Sequence, residues 1–144
     1  MQKLHFSIEI NAPREKVWRA LWDDAGFRDW SSVFAEGSHY VISEWKEGNK
    51  IQFIDPKSNA GMSSVIGKLV PNEFISFKHM TEIKEGKEQP PPHWSGMIEN
   101  YTLKEDGGAT TLVVDMDAPD EFQAMFGDKF PEALARVKDL AEGK

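Results

Sequence analysis

The sequence predicts an α+β fold: a curved antiparallel sheet of about seven strands wrapped around a long C-terminal helix, with two short helices after strand one. Three observations lead there. Leu4, Phe6, Ile8 and Ile10 alternate with polar residues, then run straight into a helix bearing Val17, Trp18, Leu21 and Trp22. The middle of the chain is a series of β-rich runs divided by turn residues. The final segment sets Phe130, Leu134, Val137 and Ala141 at helical spacing. An aromatic helix pair of that bulk needs a large concave apolar surface to cover, and a bent sheet supplies one.

The first strand spans residues 3–10. Asn11 stands where it can cap the next helix, and Pro13 fits the first turn. Arg14, Glu15 and Lys16 form the wet side of that helix, and Val17, Leu21 and the two tryptophans the dry side. Asp23-Asp24 and Gly26 break it, and a short second helix carries Phe27 and Trp30. Strands at 40–42 and 51–54 flank a Lys46-Glu47-Gly48-Asn49 turn, and a loop runs from Asp55-Pro56 to Gly61. Strands follow at 62–70 and 74–83, joined through Pro71-Asn72. Lys84 to His93, with Pro90-Pro91-Pro92, reads as neither strand nor helix but as an exposed connection in polyproline geometry. Asp106-Gly107-Gly108 is a strong hairpin signal between strands at 94–104 and 109–117. Asp120 opens a short helical piece bearing Phe122, Met125 and Phe126, which Gly127 stops. Asp128 then starts the long helix, with Pro131 in its tolerated first turn.

The 144 residues fit one domain, 1–144, large enough to bury a proper core. A net charge of −7 argues against non-specific nucleic-acid binding and against docking on an anionic membrane. The absence of cysteine excludes disulfides, thiolate metal sites and a cysteine nucleophile, and fits a cytoplasmic protein. The first residues lack a signal-peptide core, and no apolar run approaches a membrane span.

Particular residues within this order resemble the SRPBCC superfamily, whose helix-grip fold is shared with START and birch-pollen-allergen-like proteins. Within it the chain is similar to the family named after the activator of heat-shock-protein-90 ATPase. Ile10-Asn11-Ala12-Pro13-Arg14-Glu15-Lys16-Val17-Trp18 fits that family's opening, and Trp30 its aromatic at the end of the second helix. Gly67 to Phe74 fits its strand-turn-strand centre, and the segment from Phe130 its final helix. There are departures: Lys129-Phe130 stands where Gly-Trp is frequent, and Glu36-Gly37 where Gly-Gly is. The superfamily includes lipid and hormone binders, polyketide cyclases, ring-hydroxylase subunits and co-chaperone domains, so the resemblance implies the fold more firmly than the activity.

The hairpin turn sets Leu103 opposite Leu112, Tyr101 opposite Val114 and Glu99 opposite Met116. Met97 and Glu99 then share the face of Tyr101 and Leu103, while Ile75, Phe77 and His79 share a face on the neighbouring strand. If both faces point inward, His79 and Glu99 meet inside an apolar cup, able to polarise a carbonyl or shuttle a proton. The plainer alternative puts Glu99 near the open end in water and makes His79 a satisfied wall residue. Phe53, Phe77, Met97, Tyr101, Met116, Phe122, Met125 and Phe126, together with Trp30 and Phe130, are candidate pocket walls. The alternative is that they fill a solid core.

His5, His39 and His93 have no ligand-like spacing, so no metal or other cofactor is expected. There is no phosphate loop, no nucleophile elbow and no helical His-Glu-x-x-His. Ser31-Ser32 and Ser63-Ser64 lack an identifiable base. Trp45 and Trp94 read as exposed, with Trp94 placed to gate the pocket or touch a partner. The expected function is non-catalytic binding of a small hydrophobic or aromatic ligand, in the manner of lipid-binding or stress-response members of the superfamily. The alternatives implied by the resemblance are a chaperone-binding ATPase-activator domain and a cyclase-like enzyme using His79, Glu99 and Tyr101.

Overall fold

A computed structural model describes residues 2–144. Strand β1 (Gln2–Ile10) leads into helices α1 (Arg14–Trp22) and α2 (Asp24–Ser31). Strands β2 (His39–Ile42), β3 (Lys50–Asp55), β4 (Ala60–Val70), β5 (Phe74–Lys84), β6 (Lys87–Glu88), β7 (Met97–Asp106) and β8 (Ala109–Ala118) follow, and helix α3 (Asp120–Glu142) ends the fold. The strands form one antiparallel sheet in the order β1-β8-β7-β5-β4-β3-β2, with β6 paired to the end of β5. Helix α3 packs on β1 and β8 and against both short helices. This is the helix-grip arrangement.

The first strand behaves as its alternation requires: Ile10 is fully buried, Leu4, Phe6 and Ile8 are half-buried, and the residues between them are exposed. In α1 the buried residues are Val17, Ala20, Leu21 and Trp22. The two short helices meet at a tight elbow in which Asp23 ends one and begins the next. Gly26 lies inside α2 and does not end α1. A Cβ there would stand 2.3 Å from the carbonyl oxygen of Ala20, so no other residue allows this approach. Asn11 is not the cap of α1; Pro13 occupies that position and makes no side-chain bond to the helix.

The hairpin register is the expected one, with Leu103 opposite Leu112, Tyr101 opposite Val114 and Glu99 opposite Met116. Gly107 and Gly108 both take positive φ, 62° and 83°, the requirement of a two-residue hairpin turn. Two elements depart from the sequence reading. Lys87 and Glu88 pair with Lys84 and Ile83, so the connection after β5 begins as a short hairpin. Helix α3 runs unbroken through Gly127 and Pro131, which places Lys129-Phe130 inside it. Four buried residues after the proline, Ala133, Leu134, Val137 and Ala141, hold that end to the core. Packing of this kind outweighs the local breaking tendency of one glycine and one proline.

Candidate functional site

A cavity of about 240 Å³ lies between the sheet and the helices. Its floor comes from inward positions of the strands: Phe53 on β3, Met62 on β4, Phe77 and His79 on β5, and Met97, Glu99 and Tyr101 on β7. One wall is the elbow of the short helices, with Trp22, Phe27, Trp30 and Ser31. Phe34 and Ser38, in the connection to β2, complete that side. The facing wall is one stripe of α3, Phe122, Met125, Phe126 and Phe130. Met125 is 38% exposed, so the wall there is one side chain thick.

The aromatic rings are interlocked rather than merely adjacent. Trp22 sits edge-on to Tyr101 at 4.9 Å and to Phe77 at 5.2 Å between ring centres. Phe27 stacks on Phe53 at 5.7 Å, and Phe34 meets Phe130 at 5.0 Å. The Trp30 indole donates to the Leu21 carbonyl at 2.9 Å, which fixes α2 against α1. The Tyr40 hydroxyl donates to the Trp22 carbonyl at 2.6 Å, satisfying the end of α1.

One polar chain crosses this apolar floor. Ser64 Oγ lies 2.6 Å from His79 Nδ1, and His79 Nε2 lies 2.9 Å from Glu99 Oε1. The Tyr101 hydroxyl donates to the other carboxylate oxygen, Glu99 Oε2. The His79 and Glu99 side chains are only 6% and 17% exposed. An unpaired carboxylate at such a depth costs several kcal/mol, and here both oxygens are engaged. Burial, reinforced by the charge and hydrogen bond of Glu99, pushes the Tyr101 phenol well above its ordinary range, so it remains a donor.

The chain depends on a slip in register between β4 and β5. Ser63 pairs with Thr81, yet Ser64 pairs with His79, so Met80 is bulged out. Without that extra residue, Ser64 would face Met80. The bulge re-aims the strand and gives His79 its second partner.

Every anticipated wall residue lines this cavity except Met116. Trp30, Phe53, Phe77, Met97, Tyr101, Phe122, Met125, Phe126 and Phe130 are there, together with the polar pair His79 and Glu99. Met116 faces inward but belongs to the closed core, because α3 packs across β8 and β1 at that end of the sheet. Trp22, Phe27, Phe34 and Met62 are walls that the strand-based reading missed. The apolar stripe on the short helices was the available signal for Trp22 and Phe27. Ser64 does have a base-like neighbour, His79, but lies behind it and does not line the cavity. Trp94 is buried at 2% exposure and packs on Phe122, and Trp45 is half-buried against Trp22. Both were expected at the surface; the turn at 94–96 is instead tied to β5, with the Ser95 hydroxyl donating to Met80 O and the Gly96 amide to His79 O.

Among the described residues, no group of three or more His, Cys, Asp or Glu is placed to hold a metal ion. No helix among them is long and apolar enough to cross a membrane.

A sheet gripping a helix around an apolar, ring-lined cavity defines the class as a START-like, helix-grip protein. More narrowly, the chain belongs to the family described as Activator of Hsp90 ATPase homolog 1-like protein, whose model matches residues 11–142. No curated protein matches the sequence. Among solved structures, the chain is similar to an Aha1 dimer from Colwellia psychrerythraea, at 23% identity and TM-score 0.75, over 99% of this chain and 97% of that one. It is also similar to DynU16, a protein in the dynemicin biosynthetic locus, at 18% identity and TM-score 0.71; all of this chain matches 49% of that one. CalU16 from Micromonospora echinospora matches at 18% identity and TM-score 0.68, over 98% of this chain and 74% of that one. At these identities the likeness establishes the fold.

Proposed function

We propose that this protein binds a small hydrophobic or aromatic molecule in the cavity between the sheet and α3, without transforming it. The observation that carries the reading is the cavity itself: an unfilled space of about 240 Å³ walled by phenylalanine, tryptophan and methionine. Apolar clefts with a few convergent polar groups are the usual form of a ligand site. This one is small, which suits a compact ligand of roughly two fused rings. A cytoplasmic location belongs to the same reading, since a chain without cysteine fits a reducing compartment.

Trp22 and Trp30 in the walls make the test direct. Titration with naphthalene, followed by intrinsic tryptophan emission, should give saturable one-to-one binding. Met125→Trp, which adds bulk at an exposed wall position, should weaken it at least tenfold while the fold persists. Absence of saturation by any apolar compound would remove the reading.

A second reading, acid–base chemistry on the bound molecule, is favoured by the Ser64–His79–Glu99–Tyr101 chain, because a histidine–carboxylate pair can relay a proton. Turnover of a polyketide-like substrate that is lost in Glu99→Gln would support it. The family description motivates a third, contact with a chaperone. Recovery of no chaperone from lysate by the tagged protein would end that reading.

A further inference from the structure

We propose that the cavity selects compact apolar molecules that carry a hydrogen-bond donor, a hydroxyl or a protonated amine, and excludes molecules headed by a carboxylate. The inference rests on the cavity-binding reading above and specifies the chemistry of its occupant.

It follows from an accounting of hydrogens at the polar floor. The Tyr101 hydroxyl points its proton at Glu99 Oε2. With Glu99 as the carboxylate, His79 Nε2–H is the donor to Oε1 and is spent on that contact. On its other side, His79 Nδ1 is occupied by Ser64 Oγ. The Trp30 N–H is directed to the Leu21 carbonyl. The Trp22 N–H has no acceptor, but it is completely covered and offers nothing to an occupant. No donor at this floor is therefore left over for a ligand carbonyl.

Acceptors are in surplus. A carboxylate has about four lone-pair sites, and Glu99 receives one bond on each oxygen, so capacity remains on a residue that faces the cavity. Ser31 and Ser38 also line the cavity; the Ser31 hydroxyl donates to the Ser38 carbonyl, and the Ser38 hydroxyl can give or accept and does not discriminate. Among the described residues, the lining contains Glu99 and no lysine or arginine. A ligand carboxylate would meet a like charge in an apolar enclosure whose one basic group, His79, is already paired with Glu99. A ligand hydroxyl or ammonium would instead fill an open acceptor. Carbonyl polarisation by the His79–Glu99 pair, one use the sequence suggests, is not available in this geometry.

Three probes of matched shape test this: 2-naphthol, 2-methoxynaphthalene and 2-naphthoate, titrated against the protein by tryptophan emission. Naphthol should bind at least about tenfold more tightly than its methyl ether, the ratio expected for a hydrogen bond to a charged acceptor. Naphthoate should bind more weakly than either. Glu99→Gln, nearly identical in shape, should bring the naphthol and ether affinities together and let naphthoate in. Tyr101→Phe, which leaves the carboxylate in place, should preserve the preference; if Glu99→Gln fails to fold, this variant and the three wild-type affinities still decide. Equal binding of naphthol and its ether, or tight binding of naphthoate, overturns the donor preference and leaves the binding reading intact. Failure of all three probes to saturate overturns both.

Discussion

The two halves of α3 belong to one continuous helix but are held in different ways. After Pro131 the helix is part of the core, with Ala133 and Val137 fully buried. Its end is tied down on several sides: Lys138 donates to the Glu9 carbonyl and pairs with Glu142, which accepts from the Asn11 amide. Before Pro131, Phe130 is the one buried residue of α3, and it lines the cavity together with Phe122, Met125 and Phe126. Between the halves, proline offers no N–H to the Gly127 carbonyl four residues back, and nothing crowds Gly127. One end of the helix stabilises the fold; the other shapes a space.

Substitutions on either side should separate those roles. Leu134→Ala should cost about 3 kcal/mol in urea unfolding, the range for a buried leucine, while folded protein keeps its probe affinity. Pro131→Ala supplies the missing N–H, and should raise stability by about 1–3 kcal/mol; no gain would mean the junction is not a weak point. Glu142 gives a pH test. Lys138, the Asn11 amide and Lys144 hold its carboxyl at about 2, against 4.5 for an unperturbed one. A carboxyl lowered in the folded state stabilises fully above pH 4.5 and loses its effect as pH falls toward 2. Glu142→Gln should therefore be less stable than the parent at pH 7, with the gap closing over that acid range. Met125→Ser should change stability by less than about 0.5 kcal/mol, as exposed positions do, yet lower probe affinity several-fold.

The same division explains what the sequence made legible. Gly127 and Pro131 mark the boundary between the halves, but they read as a stop and the first turn of a new helix, because the tertiary contacts that carry the helix through lie far away in the chain. The β7–β8 register was readable because a two-residue turn fixes the pairing, and the period of two then carries it along to Glu99. Two such alternations allowed His79 to meet Glu99 if both faces point inward, and left open the plainer placing of Glu99 in water. Ser64 was invisible as their partner because no glycine or other local signal marks the bulge at Met80. Met116 was misplaced for a related reason. Alternation states which face a residue occupies, but only the path of α3 decides which part of that face is covered and which is left open. Trp94 shows the limit of a proline run as a surface signal, since its burial comes from Phe122 and from the turn clamped to β5.

The elbow at Gly26 bears on how this sequence can drift over generations. A single added methyl group would press on the Ala20 carbonyl and lever the short helices apart. Trp22, Phe27 and Trp30 would move with them, so one small residue keeps three large ones in position. Inherited variation should then leave position 26 unchanged while Met125 varies freely. Lineages that bind different guests would differ along the thin wall and agree at the hinge of the two helices.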